Sequence, residues 1–211
     1  MTKKFILWDH DGVLVDTEKW YYEANKRALA ELNTVIDFKQ YMEFMQIGKS
    51  VWTIPREKGI DENLVLKARE HRDQYYQDYL QTKNIEIPHV EEVLKNLSKK
   101  YLMCIVTTAK KKDFDLIHKN RKIMDHMQFA LTLGEYKRSK PHPDPYLTAL
   151  EKFGGKKEEA VVVEDSARGL KAAIAAGIEC IIVRNEFTKS HDFTGATKIL
   201  NSIQELNLFL Q

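Results

Sequence analysis

Charge of one sign is what this chain most lacks: its 33 basic and 31 acidic residues leave a formal net charge of +2 over 211 residues. Without a basic excess there is no general means of recruiting nucleic acid by phosphate neutralisation, so any site for an anion must be local. Cysteine is nearly absent as well. The two present, Cys104 and Cys180, sit in the apolar runs LMCIV and ECIIV, which makes them buried, inert thiols rather than a disulfide framework or a metal knuckle. Long hydrophobic runs are missing too. The opening MTKKFILWDHDG offers only FILW before charges return, which is neither a signal peptide nor a span, and the expectation is a protein of the cytoplasm with no membrane partner. Internal repeats, low-complexity tracts and flexible linkers are not found.

Present instead are five short apolar runs of strand length, at 5–8, 102–106, 129–133, 160–164 and 178–183, separated by charged or helix-periodic segments. That alternation predicts an α/β fold with a parallel sheet buried on both faces. About 90 residues separate the first two runs, whereas a crossover needs only about a dozen or more. An inserted helical module at 16–86 follows, with a helix from a Thr17 cap through Asn33 (Trp20, Ala24 and Ala28 four apart) and another beginning near Asp61. The α/β core would then be 1–15 with 87–211, including a helix near 90–100 and a short one over 202–211.

The first run leads straight into Asp9-His10-Asp11-Gly12, placing two carboxylates one residue apart where a parallel sheet opens its ligand crevice. A hard divalent cation is the simplest reason to keep both. Thr107-Thr108 follows the second run, Lys140 opens the loop SKPHPDP, and Glu164-Asp165 closes the fourth run. All lie at strand ends or in the loops beyond, where a parallel sheet brings them to one edge. Charge supports the cation independently: with Asp9, Glu164 and Asp165 ionised, three negative charges face one from Lys140, and a phosphate dianion is repelled unless Mg²⁺ is added. Strand alternation turns His10 away from the site into packing; His142 shapes its loop, and Lys110-Lys111-Lys112 forms a solvated helix start.

DHDGVLVDTE, VTTA, SKPHPDPY and VVVEDSARGLKAAIAAG resemble, in order, the four motifs of haloacid-dehalogenase (HAD) superfamily phosphatases and phosphomutases of the capped subfamily I, over roughly 4–184. The resemblance implies a Rossmann-like parallel core with an inserted helical cap, and a Mg²⁺-dependent hydrolase of small phosphomonoesters. It implies Asp9 as nucleophile, Asp11 as general acid and base, Thr107 as a holder of a phosphoryl oxygen, and Lys140 as a bridge between Asp9 and phosphate. Asp9, Asp165 and the carbonyl of Asp11 would bind the metal, with Glu164 in or next to that shell. Amides at Asp11, Gly12 and Thr108 would cradle the phosphoryl group, and Lys49, in Gly48-Lys49-Ser50 of the cap, would meet the substrate. The partner is a small phosphorylated metabolite, and the protein a monomer or weak homodimer.

Mutases of the β-phosphoglucomutase type share these motifs but carry a His twelve residues after the nucleophile, where this chain has Tyr21. That departure favours hydrolysis. Asp11 argues against the dehalogenase and phosphonate-hydrolase branches, and the length and full motif set argue against a phospho-receiver or an inactive binder.

Overall fold

The computed structural model describes residues 2–46 and 48–210; the final residue of the expected terminal helix, Gln211, lies outside them. The chain divides into two compact units, one of Thr17–Asn84 and one formed by the residues up to Asp16 together with those from Ile85 onward.

The second of these units is a six-stranded sheet of β1 (Phe5–Trp8), β2 (Leu102–Val106), β3 (Phe129–Leu131), β4 (Ala160–Glu164), β5 (Glu179–Val183) and β6 (Lys198–Leu200). All neighbours pair in parallel, in the order β3-β2-β1-β4-β5-β6. This is the strand order of Rossmann-like doubly wound sheets, whose ligand crevice opens where the order reverses, at the carboxyl end of β1. Every residue of β1 and β4 is buried, because helices cover both faces and no strand side is left for water. One face carries Phe5, Leu7, Cys104, Val106, Val162 and Ile182 against Tyr146, Leu150, Leu170 and Ala173. The alternate residues Ile6, Trp8, Met103, Ile105, Val161, Val163 and Ile181 are buried as well. Cys104 and Cys180 are free and buried, and burial pushes both thiols well above their ordinary range.

In the inserted unit the helices are α1 (Glu18–Ala30), α2 (Phe38–Gln46), α3 (Thr53–Glu57) and α4 (Glu62–Thr82). Asp61 caps α4 through the amides of Asn63 and Leu64. Thr17 does not cap α1 as expected: its backbone is already near-helical, and its side chain makes no capping bond. The buried stripe of α1 holds Tyr22, Ala24, Asn25, Ala28 and Leu29, with Trp20 only half buried. The unit has its own core of Tyr22, Leu29, Ile36, Tyr41, Trp52 and Val65. It also buries a polar knot in which Arg72 donates to the Tyr21 hydroxyl (2.6 Å) and to Asn25 Oδ1, which accepts from Trp52 Nε1 as well (3.1 Å).

The remaining helices of the sheet unit are α5 (Val90–Leu97), α6 (Lys111–His118), α7 (Asp144–Phe153), α8 (Ala167–Ala176) and the short α9 (Leu206–Phe209). Among the described residues no helix is long and apolar enough to cross a membrane.

Candidate active site

Apart from Lys49, the candidate side chains come from the carboxyl edge of the sheet and the loops beyond it. β1 delivers Asp9, whose amide still pairs with Val163 O at 2.8 Å; β2 delivers Thr107, and β4 delivers Glu164 and Asp165. Lys140 comes from the loop before α7, where Arg138 and His142 both bind Asp144 (3.0 and 2.8 Å) and hold the loop shut.

Lys140 is buried, and its ammonium meets three acceptors: Asp9 Oδ1 (2.5 Å), Glu164 Oε1 (2.9 Å) and the Val106 carbonyl (2.9 Å). Three hydrogens for three acceptors leave it fully satisfied. Burial works against its charge, but Asp9 and Glu164 outweigh that and hold it protonated above the ordinary lysine range. Asp9 is raised as well, which in its case disfavours the charge. Burial first, and the charge of Glu164 second, push its carboxyl up to about 7 despite Lys140. Burial also opposes the Glu164 charge, but the charge and hydrogen bond of Lys140, the Ser166 amide and the Tyr146 hydroxyl hold it below the usual glutamate range.

Both oxygens of Glu164 are engaged. Oε1 accepts from Lys140 and Tyr146, and Oε2 from the amides of Asp165 and Ser166 and the Ser166 hydroxyl, all at 2.9–3.0 Å. Ser166 in turn caps α8 by accepting from the Gly169 amide at 3.0 Å. At Gly169 a methyl group would fall 1.6 Å from Glu164 Oε1, so only glycine lets α8 begin this close to the carboxylate.

Asp9, Glu164 and Asp165 present ligand atoms all within 4.8 Å of one another. An excess of negative charge and a carboxyl held up to about 7 are what a divalent cation would relieve, and the hard oxygen donors fit one.

Asp11 Oδ2 accepts from the Thr107 hydroxyl at 3.2 Å, while Thr107 Oγ1 accepts from the Ala109 amide at 3.0 Å. The Gly12 amide donates to Val15 O (2.8 Å). What Gly12 contributes is room: with φ at +82°, a methyl group there would lie 2.3 Å from Asp165 Oδ2. His10 packs on Phe114 and His118 as expected, but it does not turn away from the site. It is wholly buried, with Nδ1 3.3 Å from Asp11 Oδ2 and Nε2 2.9 Å from His118 Nε2. Asn185, just past β5, was not singled out in the sequence; it donates to the Gly12 carbonyl (3.1 Å) and to Asp165 Oδ2 (2.7 Å). Its signal was a polar residue two positions past an apolar strand end, close to the signal that Asp9 carries one position past β1. Lys49, in the helical unit, forms an ion pair with Glu57 at 2.8 Å.

Fold and site together define a doubly wound α/β protein with a carboxylate-rich centre at the sheet's switch point. The sequence profile described as haloacid dehalogenase-like hydrolase matches residues 6–183, and the chain belongs to that family. It is 29% identical to (DL)-glycerol-3-phosphatase 1, mitochondrial, of Arabidopsis thaliana, with 84% of this chain aligned, and spans 63% of that protein's length. It is 28% identical to the phosphorylated carbohydrates phosphatase of Thermotoga maritima, over 83% of this chain and 82% of that protein. The crystal structure of CbbY from Rhodobacter sphaeroides in complex with phosphate shares the fold, with a TM-score of 0.82 at 21% identity, covering 97% of this chain and 96% of that one.

Proposed function

We propose that the chain is a Mg²⁺-dependent phosphatase of small phosphomonoesters, of the sugar- or polyol-phosphate kind, working through a phospho-aspartate on Asp9. The observation that carries this reading is the ion cluster itself: a carboxylate at the end of β1 whose orientation is fixed by a buried, fully bonded lysine, beside a second acidic pair and two residues from Asp11. The names of the relatives, phosphatases of glycerol phosphate and of phosphorylated carbohydrates, support the substrate class.

Asp9 and Asp165, with the Asp11 carbonyl, are the proposed metal ligands; Glu164, its oxygens already taken by five donors, stands next to that shell and secures Lys140. Mg²⁺ bound there would neutralise the excess negative charge and polarise the phosphoryl oxygens. Asp9 attacks phosphorus as the bond to the leaving oxygen breaks, and Asp11 gives its proton to that oxygen. Asp11 then takes a proton from water, the water oxygen bonds to phosphorus, and the bond to Asp9 breaks to release phosphate. Thr107 turns its hydroxyl from Asp11 to a phosphoryl oxygen, and the Asp11 and Thr108 amides complete the cradle. Lys49 is the proposed reader of the unreacting part of the substrate. Tyr21, whose hydroxyl already accepts from Arg72, is not a substitute for the mutase histidine, which favours water as the final acceptor. Buried free thiols agree with a reducing compartment, and we place the protein in the cytoplasm as a monomer or weak homodimer.

The test is phosphate release from a panel of phosphomonoesters with Mg²⁺ present. The expected outcome is release from several sugar and polyol phosphates, without a bisphosphate activator and without isomerisation of β-glucose 1-phosphate. Lys49→Ala should raise KM with little change in kcat. Efficient isomerisation with little free phosphate would overturn the hydrolytic assignment.

A further inference from the structure

The chemistry proposed above gives no role to two imidazoles placed end to end beside Asp11. His10 is wholly buried, and His118 reaches it from α6. Phe114, one turn earlier on the same helix face, packs on both rings, with centroids at 5.1 and 4.3 Å.

The hydrogen positions follow from the partners. The Ala109 amide donates to Thr107 Oγ1, so the single hydroxyl hydrogen of Thr107 points to Asp11 Oδ2, which therefore acts as an acceptor. An imidazole nitrogen 3.3 Å from that same oxygen must bring a hydrogen of its own, which places one on His10 Nδ1. With that ring hydrogen on Nδ1, His10 Nε2 is left to accept. Across 2.9 Å the hydrogen must come from His118 Nε2. The remaining nitrogen of His118, Nδ1, is buried and has no partner among the described residues, as suits a neutral ring whose one hydrogen is already spent. Burial above all holds His118 well below the ordinary imidazole range, so it stays uncharged at neutral pH.

We propose that His10 is a positioning residue for acid–base transfer: its Nδ1–H pins Asp11 at Oδ2, and His118 fixes the tautomer that makes this possible. The inference rests on the acid–base role of Asp11 stated above. When Thr107 turns to a phosphoryl oxygen, the His10 Nδ1–H still holds Asp11 Oδ2. A carboxyl group pinned at Oδ2 carries its movable proton on Oδ1, the oxygen that must meet the leaving group and then the attacking water. A displacement of about 1 Å in such a group can cost roughly 100-fold in rate.

His10→Phe keeps ring volume and the packing on Phe114 but removes both nitrogens. His10→Asn keeps a donor at the reach of Nδ1, and His10→Gln moves the amide away from Asp11 towards His118. Rapid-quench formation of phosphoenzyme would be measured with two probes. p-Nitrophenyl phosphate releases a stable phenolate that needs no proton, whereas glycerol 3-phosphate releases an alkoxide that does. The expected result is a loss of about 10- to 100-fold with glycerol 3-phosphate in His10→Phe and His10→Gln, near-normal rates with p-nitrophenyl phosphate, and recovery in His10→Asn. Equal slowing with both probes would assign His10 a packing role, and no slowing would assign it none; either overturns the inference while leaving the phosphatase reading intact. Should His10→Phe fail to fold, His10→Gln carries the same comparison. Failure of the wild-type protein to form phosphoenzyme from either probe would remove the parent reading and this inference together.

Discussion

Lys140 and Glu164 explain each other residue by residue. A lysine buried among three acceptors and a glutamate buried among five donors are each expensive alone and mutually satisfied together. Asp9 is the member left out of balance, and stability should register this. Its folded value, about 7, lies above the ordinary 3.8, so its ionised form costs stability. That cost is absent below the unfolded value, grows as pH rises through the folded one, and then levels off. In chelator-treated protein, Asp9→Asn should therefore melt several degrees above wild type at pH 8, at about 2–4 °C per kcal/mol for a domain of this size, with the gap closing towards pH 4. Calorimetry that finds the variant no more stable at pH 8 would contradict this balance. The positions of Asp9, Asp11, Lys140 and Asp165 were legible because each stands at a strand end or in a loop of one sheet edge. The bonding of Glu164 was not, since a donor count has no trace in sequence. The contact of His10 with Asp11 was not legible for a definite reason: β1 ends at Trp8, so strand alternation no longer governs the residue two positions on.

At the scale of elements, the largely apolar strands β1, β2, β4 and β5 were readable because burial on both faces leaves mostly hydrophobic residues, with Glu164 closing β4 and Glu179 opening β5. β3 stops at Leu131, short of the run that predicted it, because Thr132 turns its amide and hydroxyl to Glu135 Oε2 (2.7 and 2.8 Å) and leaves the ladder. β6 gave no signal: it is a three-residue edge strand with Lys198 and Ile199 exposed. α1 ends at Ala30, before the Asn33 that was expected to close it, and Asn33 adopts a left-handed φ of 49°. The most sensitive junction is β4 to α8, where Gly169 meets Glu164. Gly169→Ala must displace either the carboxylate or the helix start, and should cost roughly 1–3 kcal/mol as overpacking does while also lowering activity, because Lys140 loses its partner. Urea unfolding and phosphate release on the same sample check both; an unchanged midpoint with full activity would contradict the packing described.

For the molecule as a whole, near-neutral composition conceals a site with a steep local charge, and a cation of the right size is the whole-molecule ligand that this charge calls for. Mg²⁺ should raise the melting temperature of wild type, as any ligand of the folded state does, and should do so less in Asp9→Asn. Chelation should stop turnover and Mg²⁺ restore it, while Ca²⁺, which takes a looser and larger shell, should bind and inhibit. Full activity after exhaustive chelation would contradict the metal assignment. The central claim is covalent, and its most direct measurement is mass spectrometry of acid-quenched protein after brief incubation with a phosphorylated substrate and Mg²⁺. A single phosphate mapped to Asp9 in wild type, and absent from an inactive but folded Asp9→Asn, is the predicted result. Phosphate on another residue, or appreciable turnover by Asp9→Asn, would contradict it.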